Sequence, residues 1–235
     1  MWSVTRGCAA VAGAAVGAYG ATVAVAWLRY GRPPRPTADE ADPLLDRVMP
    51  AYEVAERHHI AVAAPPSTTF AAAAGMPLMY SWPVRTIFRA RERIMGAAPQ
   101  ASLPREPLLS LAKSIGWGVL AESNSEIVMG AVTQPWLADV VFRPLPADEF
   151  VRFADPGFVK IAWTLRADAT AGDGSIFRTE TRVLATDRVA RRKFRRYWSL
   201  VCPGIVLIRR AMLNPIKYAA EARARRLRSS PAEAW

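Results

Sequence analysis

Hydrophobic and polar positions alternate over 52–64, where Val54, His58, Ile60 and Val62 fall on one parity and Glu53, Arg57 and His59 on the other. That period of two predicts a β-strand with one face buried. Pro65-Pro66 ends it, Ser67 is placed to cap a short Ala-rich helix reaching about Ala74, and Gly75 to Pro83 breaks the pattern. Val84, Ile87, Phe88, Arg91 and Ile94 then recur at helical spacing and predict a second short helix over 84–95, with a third over 108–115. After Gly116 the stretches 117–122 and 126–134 are apolar on both parities and flank Ser123-Asn124-Ser125, as in a hairpin covered on both faces. A three-residue loop there sets Glu122 opposite Glu126, a like-charge pair that solvent at the tip relieves.

A second hairpin follows. Val159, Ile161, Trp163 and Leu165 must share a face with Phe177, Thr179, Thr181 and Val183, and two odd-numbered sets face each other only across an odd loop. A three-residue Gly172-Asp173-Gly174 turn, with Gly174 free to take a left-handed conformation, would set Arg166 opposite Glu180 and Asp168 opposite Arg178. From the N-cap Asp187 a long helix begins, on which Ala190, Phe194, Trp198, Val201, Ile205, Ile208 and Met212 form one apolar stripe, with Cys202 at its flank. Pro203 is expected to kink this helix, and Pro215 or the polar tail at 229–235 to end it.

Ahead of these elements, the 22 residues from Gly7 to Leu28 carry no charge and are long enough to cross a hydrocarbon core of about 30 Å. They read as a single-pass anchor flanked by Trp27, Arg29 and Tyr30, or alternatively as a cleaved signal peptide with Ala24-Val25-Ala26 as its small-residue site. Arg29, Arg32 and Arg35 bias an anchored chain towards a cytoplasmic C-terminal domain. Five prolines between residues 31 and 50 predict a semi-rigid spacer. The expected organisation is therefore a membrane segment over 1–30, a linker over 31–50, a folded domain over 51–228 and a tail over 229–235.

The formal net charge of +11 is local: 13 Arg or Lys stand against the single acid Glu221 between Arg188 and Arg228. Such a segment is a footprint for anionic phosphate, and Arg191, Arg192, Arg195 and Arg196 are its candidates for contact with a membrane surface. Only four of the 31 basic residues are Lys, a skew that matches GC-rich coding more than tuned phosphate recognition. Two cysteines and two adjacent histidines leave no disulfide framework and no multi-His metal site. No phosphate-binding or dinucleotide glycine motif is present, so no cofactor is expected, and no signature of a nucleic-acid module accompanies the basic helix. His58 shares the face of Ile60 and Val62 and reads as a core histidine.

The order strand, two short helices, antiparallel hairpins and one long C-terminal helix resembles the helix-grip fold of the START/polyketide-cyclase-like (SRPBCC) superfamily. The likeness covers about 52–224. It is carried by Arg57-His58-His59-Ile60-Ala61-Val62-Ala63-Ala64-Pro65-Pro66, by Glu126-Ile127-Val128-Met129-Gly130-Ala131-Val132, and by Thr179-Glu180-Thr181-Arg182-Val183 before the helix. These strings mark architecture rather than chemistry. The resemblance implies an α+β fold in which a curved antiparallel sheet wraps a long helix around a cavity for a hydrophobic small molecule or lipid. The candidate cavity residues are Trp117, Trp163, Leu165, Phe177, Thr179, Thr181 and Val183 from the sheet and Trp198, Val201, Ile205 and Ile208 from the helix. No position carries over as catalytic. A cyclase or dehydratase using Thr179, Thr181 or His58 as polar handles, and a closed core serving as an interaction module, stand as alternatives.

Overall fold

The computed structural model of the chain describes residues 2–77 and 106–229, so the helix expected over 84–95 lies outside the described residues. In chain order the elements are α1 (Trp2–Arg29), α2 (Pro43–Val48), β1 (Val54–Val62), α3 (Pro66–Gly75), α4 (Leu108–Ser114), β2 (Gly118–Glu122), β3 (Glu126–Thr133), β4 (Phe142–Arg143), α5 (Ala147–Arg152), β5 (Val159–Ala169), β6 (Ser175–Ala185) and α6 (Arg188–Ser229). The strands form one antiparallel sheet in the order β1-β6-β5-β3-β2, with β4 pairing to β3. First and last strands are thus neighbours, and the helix leaving β6 returns across the sheet. A six-stranded antiparallel sheet carrying one long C-terminal helix is an α+β, helix-grip-like fold, as the element order predicts.

Burial on both parities of β3 has a direct cause, since all eight of its residues are covered. The inner face meets α3, α4 and α6, while the outer face receives Leu45, Val48 and Met49 from the α2 region and Phe150 from α5 against Leu120, Val128 and Val132. Lys160 reaches across this outer layer to donate to the carbonyls of Phe150 and Val151 at the end of α5, and burial lowers its pKa. A cation there satisfies carbonyls that the helix itself leaves open.

Residues 31–50 correct the spacer reading. Asp42 caps α2 by accepting from the Leu45 amide at 2.8 Å, Pro43 opens the helix, and Leu45 is fully buried against the sheet. Upstream, the Gly31 amide donates to the Glu53 carbonyl, and Arg57, Arg166 and Arg178 hold the Pro34 carbonyl, the Ala41 carbonyl and the Asp39 carboxylate. The prolines stiffen a strap that lies on the outer face of the sheet.

Both hairpin registers differ from expectation by small amounts with large consequences. In the β5–β6 pair the loop is odd, so parity holds, but it spans five residues, with the Thr170 amide bonding to the Gly174 carbonyl. Arg166 consequently stands opposite Arg178, not Glu180, and Asp168 lies diagonally between the two arginines at 2.5 and 2.8 Å. Gly174 is not left-handed; a Cβ there would sit 3.0 Å from the Val62 carbonyl, so space is what the position demands. In the β2–β3 pair a register shift at Leu120 sets Glu122 opposite Ile127, while Glu126 faces Arg166 on β5. Ser67 does not cap α3, which starts one residue earlier with Pro66 in its first turn.

Gly116 does require its lack of a side chain. Its φ is +102°, and a Cβ would lie 2.2 Å from the Phe142 carbonyl oxygen. Gly116→Ala is expected to cost about 2 kcal/mol, read as a lowered midpoint in chemical denaturation; an unchanged midpoint would mean the turn relaxes freely.

α6 runs unbroken for 42 residues, from Arg188 to Ser229, through both Pro203 and Pro215, about 63 Å. Its buried positions are Ala190, Phe194, Trp198, Ser199 and Cys202, then Ile216, Ala220 and Ala224. Cys202 therefore lies within the stripe and Val201 at its edge. α1 packs against α6 and its end joins the cluster of Phe194 and Trp198: the Tyr19 hydroxyl donates to the Leu200 carbonyl at 2.6 Å, Ala26 is buried, and Arg195 donates twice to the Trp27 carbonyl with its guanidinium over the Trp27 ring.

Candidate functional site

The inner face is divided. One apolar cluster gathers Trp163, Leu165, Phe177, Ile127 and Met129 under Ile216 and Ala220. The other gathers Val54, Val159 and Val183 under Phe194, Trp198 and Cys202. Between them α6 presents Arg209, one step of seven from both Cys202 and Ile216, and the strands present Glu56, His58, Thr179 and Thr181 in register, with His58 opposite Thr179 and Glu56 opposite Thr181.

Arg209 closes this polar band. Its Nη1 donates to Thr179 Oγ1 and its Nη2 to Thr181 Oγ1, each at 2.6 Å, and its guanidinium lies 6.0 Å from the Trp163 ring centre. Desolvation pushes its pKa down to about 10, only partly offset by Glu56. His58 is pushed down to about 4 by burial and by Arg209 and Arg210, so its imidazole is neutral at physiological pH. Its Nε2 is buried with no hydrogen-bond partner among the described residues, the nearest acid being Glu56 at 4.0 Å. Burial raises the Glu56 carboxyl above its ordinary value, and one of its oxygens accepts from Cys202 Sγ at 3.8 Å. The Cys202 thiol is in turn pushed up to about 12 by burial and the Glu56 charge, which keeps it from acting as a nucleophile.

The structure brings most of the expected cavity residues to this interior. Trp163, Leu165, Phe177, Thr179, Thr181, Val183 and Trp198 are buried on the inner face, and Val201 and Ile205 pack half-buried beside them. Trp117 stacks on Phe142 at 4.8 Å and meets Trp163 edge-on at 5.9 Å. Ile208 joins neither inner cluster; the inward position on that turn belongs to Arg209. His58 lies on the inner face as expected, with its Nε2 unpartnered among the described residues. Of the four surface arginines, Arg191 is ion-paired with Glu53 and Arg195 caps α1, which leaves Arg192 and Arg196 exposed. Glu56 and Arg209 were the missed residues. Each interrupts an apolar series at an in-phase position, Glu56 between Val54 and His58, and Arg209 midway between Cys202 and Ile216.

On the outer face, charges are paired under the strap around a depression of about 20 Å³, room for one water, lined by Glu40, Asp42, Arg57, His59, Arg166 and Glu180 among others. Glu126 is buried beside Asp42 there. Desolvation, then the hydrogen bond and charge of Asp42, hold its carboxyl well above the usual range against the pull of Arg166.

No protein-family model matches the chain, and neither does any curated protein. Among solved structures the chain is similar to Ara h 8.0201, at 8% identity over 74% of this chain and 98% of that one, with a TM-score of 0.25. It is similar to TTHA0849 from Thermus thermophilus, at 9% identity over 76% and 100%, TM-score 0.26. It is also similar to CalU16 from Micromonospora echinospora, at 13% identity over 74% and 88%, TM-score 0.23. Scores of this size carry no argument, so the class, a helix-grip-like α+β domain, rests on the strand order and on α6.

Proposed function

We propose that this chain is a membrane-tethered binding protein that holds a hydrophobic small molecule or lipid between the sheet and α6. The observation that carries the ligand reading is the polar band itself. A closed apolar core gains nothing from a half-buried guanidinium and a partnerless imidazole between its two clusters, whereas an apolar site with a few convergent polar groups is what a ligand needs for orientation. The tether reading is supported by the uncharged stretch within α1, by the exposed apolar side chains of Tyr19, Val25 and Leu28, and by Arg192 and Arg196 on the adjoining basic turn. Among the described residues α6 also contains an 18-residue stretch of mean hydropathy 1.3, mostly unburied, and α1 lies against it at Leu200.

An enzymatic reading draws support from the convergence of Glu56, His58 and Arg209, yet an imidazole that titrates near 4 is a weak base at neutral pH. Ligand holding is the stronger reading.

The test uses the full chain recovered from membranes, analysed by native mass spectrometry with solvent extraction. A reproducible bound mass of lipid-like composition is the expected result. A clean unliganded mass, with no binding of a hydrophobic dye, would remove the ligand reading, and release of the chain from membranes by salt alone would remove the anchor.

A further inference from the structure

Every other arginine held beneath the strap on the sheet has a carboxylate partner. Arg57 is 2.8 Å from Glu180, Arg182 is 2.7 Å from Glu180 and 2.6 Å from Asp46, and Arg166 and Arg178 share Asp168. Arg209, on the opposite face, is the exception: among the described residues no carboxylate lies within ion-pair distance of it, and its two bonds go to neutral hydroxyls. A guanidinium has five N–H donors, so three remain. The threonines fix the plane of the fork, and His58 Nε2, buried and partnerless, adds another hydrogen-bonding atom on the neighbouring strand.

We propose that Arg209 is the anchor for the anionic head of an amphipathic ligand, a carboxylate or phosphate monoester on an apolar body. The inference rests on the ligand-binding reading above and names the class of ligand. A half-buried cation whose desolvation is only partly offset by Glu56 gains most from an anion, and the fork matches two oxygens of either head group in a way that a neutral alcohol cannot. The band lies between two apolar clusters, so a head group at Arg209 places its hydrocarbon against Trp163 and Phe177 on one side or Trp198 and Val183 on the other. Thr179 and Thr181 thus act on the ligand through Arg209 and are positioning residues.

The experiment is a competition read by native mass spectrometry on the full chain kept in amphipol. Dodecanoic acid, dodecyl phosphate, dodecanol and dodecylamine share one hydrocarbon and differ in head group. An equimolar mixture is expected to load one or both anions at least 10-fold over the alcohol and the amine, and which anion dominates separates a fatty-acid-like source from a phosphate-headed one. Arg209→Met is expected to bring the anion-to-alcohol ratio to about one while alcohol is still bound, and Arg209→Lys to retain a reduced preference. Equal loading of acid and alcohol on the native chain, or preference for the amine, overturns the anion assignment and leaves the ligand-binding reading standing. Loading of none of the four overturns both. Should Arg209→Met fail to fold, the native competition and the Lys variant decide.

Discussion

Replacing Arg182 with Ala is expected to lower stability by about 3–5 kcal/mol, the range for removing one partner of a buried ion pair, or about 10 °C in Tm for a chain of this size. The side chain is 1% exposed and joins three parts of the chain at once. It bonds Glu180 on its own strand, Asp46 and the Met49 carbonyl at the end of the strap, and stacks over the Tyr52 ring at 4.4 Å. Alanine leaves a void, an unsatisfied carbonyl and a Glu180 carboxylate compensated by Arg57 alone. Arg182→Met, which fills the volume without the charge, separates the packing loss from the ionic one. Hydrogen exchange localises the effect, with α2 amides losing protection before those of β5 and β6. A Tm within about 2 °C of the native chain would show that the strap does not depend on this residue.

Glu126 makes stability fall as pH rises. Its carboxyl ordinarily titrates near 4.5 and is raised in the folded chain to about 8, chiefly by desolvation and then by Asp42. Below the unfolded value both states are protonated and the group is neutral to stability. Between the two values the unfolded chain ionises while the folded chain keeps its proton, so each step in pH favours unfolding; above the folded value the penalty is complete. Carboxylates with lowered pKa, such as Asp187 and Glu221, act oppositely on the acid side, so the informative quantity is the difference from Glu126→Gln. The Gln variant is expected to match the native chain near pH 4 and to exceed it by on the order of 3 kcal/mol at pH 9. Parallel denaturation curves across that range would show that solvent reaches the carboxylate freely.

Much of the architecture was legible because it depends on parity and period. Alternation in β1, the shared odd parity of β5 and β6, and the apolar spacing on α6 each follow from which residues must avoid water, and the fold class follows from their order. Loop length is a different matter. Three and five residues satisfy the same parity, and in the longer turn Asp168 pairs with Arg166 two residues back on its own strand and diagonally with Arg178. The strap was misread because proline content marks stiffness without saying whether a stiff segment is docked; the docking is done by arginines from distant strands. Within the site, the apolar and hydroxyl residues were visible as a face. Glu56 and Arg209 were passed over because a charged residue in an apolar series is ordinarily assigned to the solvent side, and only the pairing of α6 with β1 and β6 shows that these two point inward together.

The docked strap also limits how far α1 and the sheet can separate. Twenty-four residues lie between Arg29 and Val54, and an undocked chain of that length would reach on the order of 80 Å at full extension. With Gly31, Pro34, Asp39, Ala41 and Asp46 each bonded to the sheet region, that leash has no slack. α1 is therefore held to the sheet twice, through the bonded strap that follows it and through its own contacts with Leu200 and Arg195 of α6.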